Sequence, residues 1–287
     1  MRSSTVGDKA ARAARQVGAV VRPRPEWVER AGRAGCLARG IVYAIVGGLA
    51  VQVALGEGGR TTDTEGALST VARQPFGSVL LGLLAVGLLG YAAWKLIQAW
   101  EDPDGRARPG KSRAVARAGY AVSALLHLGV ASAALRMVLG GHGSRSGNAR
   151  AQEWTARLME EPGGRLWVAA VGLIIAGAGV YQLYRAAKRK FEQKLELGRL
   201  RPETRTWVCR VSALGISARG VVFLVIGAFL VQAAARGSPG RARGLDGALA
   251  ELARQPHGDA LLGGVAVGLI AYAAYQFTAA RFRRFVV

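Results

Sequence analysis

The chain has 287 residues and is 51% hydrophobic, yet it carries a formal net charge of +21 and a pI near 11.3. That combination excludes an ordinary globular domain, and basicity on this scale points to nucleic acid or to a membrane surface. Two cysteines, Cys36 and Cys209, exclude a disulfide framework and a cysteine-built metal site, and internal thiols of this kind read as inert.

Residues 1–33 contain no apolar stretch of signal-peptide type and read as a basic cytoplasmic tail over 1–26, leading into an uncleaved first helix. The first uncharged run, 40–56, is short for a spanning helix, which needs about 17–25 residues. If Arg39 is tolerated near the helix end, where its charge can snorkel to the interface, the run becomes 34–56. A short helix is expected over 65–72, capped by Thr64, with Ala67, Leu68 and Val71 on one face. Pro75 and Gly77 then turn the chain into a second spanning run, 76–94. Lys95 falls about 29 Å along that helix, near the inner headgroups.

The connection 95–117 contains GRARPGKS, residues 105–112, which fits a phosphate-binding loop letter for letter. Such a loop needs a strand before it, and this one follows directly on a membrane helix, so it reads as a basic turn. Further uncharged runs cover 118–135 and 166–184, separated by an outer connection containing His142. The run 220–235 repeats the first case, extending to 211–235 if Arg219 is tolerated. Asp246 and Pro256-His257-Gly258 precede the last run, 260–280. The reading is therefore all-α and polytopic, with six transmembrane helices. With Arg39 and Arg219 counted at their helix ends, Lys and Arg number 28 on the side of the termini and 11 on the other, which predicts both termini in the cytoplasm. The net charge then needs no nucleic acid.

The phrase VARQPFGSVLLG at 71–82 returns as LARQPHGDALLG at 252–263. Aligning Trp27 with Trp207 matches Ala38-Arg39-Gly40 to Ala218-Arg219-Gly220, Gly66-Ala67-Leu68 to Gly247-Ala248-Leu249, and Gly87 and Tyr91 to Gly268 and Tyr272. A degraded middle copy places Ser123 at the Arg position, His127 at the Tyr43 position, and Tyr181 against Tyr91. The units are 27–103, 112–190 and 207–285. Each has an even number of crossings, so they run parallel and imply a pseudo-threefold axis along the membrane normal.

This triplicated hairpin, with its A-R-G opening and its G-A-L … A-R-Q-P-x-G entry to the second helix, resembles the bacterial membrane proteins of the domain-of-unknown-function 1206 family. The resemblance covers about residues 27–285, closely in the first and third copies and loosely in the second. It implies an inner-membrane protein of three two-helix units and carries no activity with it. The middle copy lacks the Arg and the Gln-Pro, so a property resting on them is two-fold at most.

Gly35, Arg39, Tyr43 and Gly47 fall four apart on one helix face, and Gly215, Arg219, Phe223 and Gly227 repeat the row. Gly264 and Gly268 add a small-residue pair on the last helix. These rows read as protein-facing seams. Arg39 and Arg219 are the foremost candidates, expected to meet lipid phosphate or the rings of Tyr91 and Tyr272. His127, aligned with Tyr43 and Phe223, reads first as an aromatic packing position; Gln52 and Gln232 are further intramembrane polar candidates. Tyr91, Trp94, Tyr181, Tyr184, Tyr272 and Tyr275 fall near helix ends, as interfacial anchors do. The three His are too scattered for a metal or haem site. No nucleophile–base pair can be assembled, so neither an enzyme, a cofactor nor a nucleotide is expected. Two roles remain: a structural or lipid-interacting envelope protein with anionic lipids as partners, and a small-solute or ion transporter along the threefold axis. The oligomeric state stays open.

Overall fold

The computed structural model describes residues 26–58, 61–101, 110–140 and 146–283. The tail 1–25, residues 105–109 of the loop-like motif, and His142 lie outside the described residues; Gly110, Lys111 and Ser112 begin a helix. Among the described residues the chain is helical, with one isolated bridge between Leu195 and Arg283.

Six long helices carry the runs read from the sequence: α1 (Glu26–Ala54), α3 (Gly77–Glu101), α4 (Gly110–Val138), α6 (Gly164–Ala187), α7 (Pro202–Arg236) and α9 (Gly258–Phe282). Each is long and apolar enough to cross a bilayer. Their outward faces remain apolar, as Val79, Leu83 and Val86 on α3 and Leu166, Leu173 and Ile174 on α6 illustrate. Patches of that extent suit lipid rather than water. Three short helices sit between the long ones on the loop side: α2 (Thr64–Ala72), α5 (Gly147–Glu160) and α8 (Leu245–Ala253).

The repeated phrase forms a stop and a turn. Gln74 N donates to Val71 O and Gly77 N to Gln74 O, closing α2 and opening α3. The residue before each long second helix is left-handed: Phe76 (φ 61°), Gly163 (φ 71°) and His257 (φ 60°). The glycine that follows lies against the preceding helix. A Cβ at Gly77 would stand 2.4 Å from Ala72 O, and one at Gly258 would stand 2.0 Å from Ala253 O. The cap of α2 is Asp63 rather than Thr64: its side chain accepts from Gly66 N at 2.8 Å, one residue earlier than the hydroxyl cue suggested. Ala67, Leu68 and Val71 are buried on one face, as the spacing requires.

The long helices pack in a regular order. The second helix of each unit lies on the first helix of the next: α3 on α4, α6 on α7, α9 on α1. Within the outer units, α1 packs on α3 and α7 on α9. In the middle unit α4 and α6 share no packed face, so the ring of helices is open there, a departure from three-fold regularity. The cause is visible in register. Ten residues after the opening glycine, α3 has Gly87 and α9 has Gly268, each in close contact with its own first helix, at Ala34 and Ala218. The same position in α6 is Ile174, which is 70% exposed. Gly119, the middle counterpart of Gly35, has nothing within 4 Å of a would-be Cβ; Gly35 itself abuts Tyr91 Cβ at 2.3 Å. Gly264 is also open, and only Gly268 of that pair serves the seam.

Tyr91, Trp94, Tyr272 and Tyr275 are not lipid-facing anchors. They are buried together with Cys36, Cys209 and Phe191 in a cluster at the terminus side, whereas Tyr181 and Tyr184 do face outward. Both thiols are buried, so neither serves as a native topology label.

Candidate functional site

The first helices α1, α4 and α7 surround a cavity of about 790 Å³. Its walls are apolar, with Val42, Leu88, Val222, Ile226 and Leu269 among them. Near its terminus-side end stand Arg39, Arg219, Tyr43 and His127; near its loop-side end stand Glu65, Arg136, Arg150 and Trp154. Six residues of α1, about 9 Å of rise, separate Arg39 from Arg33, the last charge before the apolar run.

Arg39 is 9% exposed and fully engaged with dipoles. Nη1 donates to Tyr91 OH at 2.5 Å and Nη2 to Tyr272 OH at 2.7 Å. The Gln276 amide, turned oxygen-first as the donors around it require, accepts from Nε at 3.0 Å. The guanidinium also lies 4.7 Å from the Tyr91 ring centre. Both tyrosines, the one from its own unit and the one from the third, thus converge on Arg39. Arg219 donates instead through Nε to Tyr43 OH at 3.0 Å and through Nη1 to Gln182 Oε1 at 2.8 Å. It stacks 4.3 Å from the Phe223 ring centre and 5.2 Å from that of Tyr272. Both cations therefore lie within 6 Å of the Tyr272 ring centre.

Gln182 and Gln276 escaped the sequence reading, as did Lys95 as a buried group. All three lie eighteen residues after the glycine that opens their helix. Each is at least nine-tenths buried. Counting from the repeated turn finds them. The count also exposes an exchange. Two seams join an Arg on a first helix to a Gln on the preceding second helix. The third seam has Ser123 where the Arg would be and Lys95 where the Gln would be. Lys95 faces protein at that seam: Nζ donates to Gln98 Oε1 at 2.7 Å and lies near the rings of Trp94 (4.3 Å) and Tyr120 (4.8 Å). By the same count Ala178, not Tyr181, corresponds to Tyr91.

His127 packs its ring 4.6 Å from that of Tyr91, and its Nδ1 bonds Ser123 O at 2.6 Å. Gln52 and Gln232 are exposed near the loop-side ends of α1 and α7, away from the cavity.

Below the arginines the terminus side is sealed. Phe191, Leu195 and Leu197 from the connection between α6 and α7 pack under Tyr91 and Tyr272. Glu196 N donates to Phe282 O at 2.7 Å, tying that connection to α9. On the loop side the three short helices are joined in a triangle. Glu65 pairs with Arg150, Gly244 N donates to Asn148 Oδ1 at 3.4 Å, and Thr61 Oγ1 donates to Asp246 O at 3.0 Å. Among the described residues no cluster of three His, Cys, Asp or Glu side chains could hold a metal.

Parallel hairpins, lipid-facing apolar surfaces and a cationic cavity between first helices define a multi-pass helical membrane protein built by internal triplication. The chain belongs to the Domain of Unknown Function (DUF1206) family, which it matches three times, over residues 34–102, 118–189 and 214–283. It is similar to the Uncharacterized protein YxxB of Bacillus subtilis (strain 168), at 35% identity over 251 residues, 87% of this chain and 89% of the relative. No solved structure matches it.

Proposed function

We propose that the protein is a lipid-interacting component of the bacterial plasma membrane, with both termini cytoplasmic and no catalytic role. The observation that carries this reading is the open ring. Leu125 and Leu126 on α4 line the cavity and stay 65% exposed, and α4 shares no packed face with α6 or α7, so protein does not close the cavity on that side. A cavity with a lip of that kind communicates sideways with lipid. The excess of Lys and Arg on the terminus side adds attraction for the anionic cytoplasmic leaflet. The test is lipid analysis of the full chain purified in mild detergent, compared with the bulk membrane extract. Enrichment of particular lipids supports the reading; a bound pool that mirrors the bulk composition overturns it.

Carriage of a small solute is a second reading. One feature favours it: the cavity extends along α4 from Val122 to Arg136, about 21 Å of helix rise, with cations near both ends. Against it stands the packed seal formed by Phe191, Leu195 and Leu197. Tracer flux in proteoliposomes, above that of empty vesicles, would move this reading to first place.

A further inference from the structure

We infer that the cavity is a binding site for one anionic amphiphile, its acid group against Arg219 with Arg39 close by, and its chain laid along α4 toward the loop side. This rests on the lipid-interacting reading and specifies its site and ligand class.

The first ground is charge. Among the described residues no ion pair involves Arg39, Arg219 or Lys95, and the partners of the two arginines are hydroxyls, amides and rings. Buried cations are costly in a bilayer unless an anion meets them. Arg219 donates through Nε and Nη1, while Nη2 has no partner among the described residues. The Arg219 side chain borders the cavity, so that fork is available to a carboxylate or phosphate oxygen. Arg39, also beside the Tyr272 ring, adds a second positive charge held in place by three neutral partners.

The second ground is shape. Between Arg219 and the polar loop-side end the walls are mostly aliphatic, with Val42, Leu88, Val130, Ile226 and Leu269 among them, so a bare inorganic anion would leave most of the space unfilled. The volume, about 790 Å³, lies within the range of pockets that enclose a whole small ligand. The run along α4 suits one extended chain. The unpacked side of α4, where it meets neither α6 nor α7, lets such a molecule enter from the membrane without crossing water.

The third ground is discrimination. A zwitterionic headgroup would bring a cation beside Arg219, and no acid stands there to receive it. The one carboxylate lining the cavity, Glu65, is at the opposite end and is paired with Arg150. Arg219 lies nine residues of α7, about 14 Å of rise, past Arg210, the last charge before it, so a chain running from it along the cavity points away from the terminus side.

The test uses the full chain in detergent, equilibrated with phosphatidylglycerol, phosphatidylcholine or oleate, and native mass spectrometry of what stays bound. The expected result is one phosphatidylglycerol or one oleate per chain, with phosphatidylcholine lost. The double substitution Arg39→Gln/Arg219→Gln should weaken retention about tenfold or more, the loss of charge-assisted hydrogen bonds. Gly129→Phe is the independent variant. Gly129 lines the cavity with nothing within 4 Å of a would-be Cβ, so a ring there fills the space while both arginines remain. It too should weaken retention about tenfold or more, with melting temperature unchanged. If both variants hold phosphatidylglycerol like the wild type, the lipid binds elsewhere and this inference fails while the broader reading stands. If the wild type enriches no lipid, both fail. If millimolar inorganic phosphate displaces the lipid, the site is one for a free anion and the inference is overturned.

Discussion

Gly215→Ala is the sharpest probe of the packing that presents the cationic site. Gly215 lies where α7 crosses α9, and an added Cβ would stand 2.3 Å from Tyr272 N and 2.5 Å from Ala271 C. These are helix backbone atoms and cannot rotate away. Ordinary contact begins at 3.4 Å, so the two helices must separate by about 1 Å at the crossing. Tyr272 moves with α9, and its hydroxyl is 2.7 Å from Arg39 Nη2. A shift of that size carries the pair beyond the range of a good hydrogen bond. Overpacking costs about 1–3 kcal/mol, offset by up to about 1 kcal/mol from the higher helix propensity of alanine. The net loss of about 1–2 kcal/mol should lower the melting temperature in detergent by several degrees. Gly119→Ala makes the same chemical change on α4, where nothing lies within 4 Å, and should leave the melting temperature unchanged or raise it. A Gly215→Ala protein that melts with the wild type, or a Gly119→Ala protein that loses as much, would refute the packing argument.

Burial raises the Asp246 carboxyl above its ordinary range, Asp63 adds to the effect, and its buried Oδ1 has no partner among the described residues. An acid whose folded value is raised opposes folding above its unfolded value near 3.9 and ceases to do so as the proton binds at lower pH. Asp246→Asn should therefore raise the melting temperature at pH 7 and give little change near pH 3; equal gains at both would contradict this. Glu65→Gln removes the pair with Arg150, whose side chain is 38% exposed, so the loss should be about 1 kcal/mol rather than the 3–5 of a fully buried pair. A melting shift above 10 °C would mean the triangle of short helices depends on that pair far more than its exposure implies. Cys36 and Cys209 should resist maleimide in the folded protein and react after denaturation, and rapid native labelling of either would contradict their burial.

Much of this architecture was legible because membrane helices announce themselves by length and apolarity, and because the Arg-Gln-Pro turn is specific. The Gly35 and Gly215 rows were legible too, since spacing by four defines a helix face. Three things were not. Aromatic residues near helix ends look alike whether they meet lipid or core, since both surroundings are apolar; Tyr91 and Tyr272 are core, and Tyr181 is not. The transfer of a cation from the Ser123 position to Lys95 crosses between helices that are far from aligned in sequence, and only counting from the opening glycines exposes it. The open seam in the middle unit depends on Ile174 standing where its counterparts are glycine, an isolated substitution in a run that is apolar either way. Asp63, one residue ahead of the expected cap, shows the usual uncertainty of helix boundaries.

An experimental structure of the full chain in nanodiscs containing phosphatidylglycerol would test the central claim most directly. The account predicts α4 and α6 apart, a lateral opening on that side of α4, and one elongated density running from Arg219 along α4 past Gly129. A ring closed by α4 packing on α6, or an open cavity with the lipid density confined to the outer surface, would contradict it.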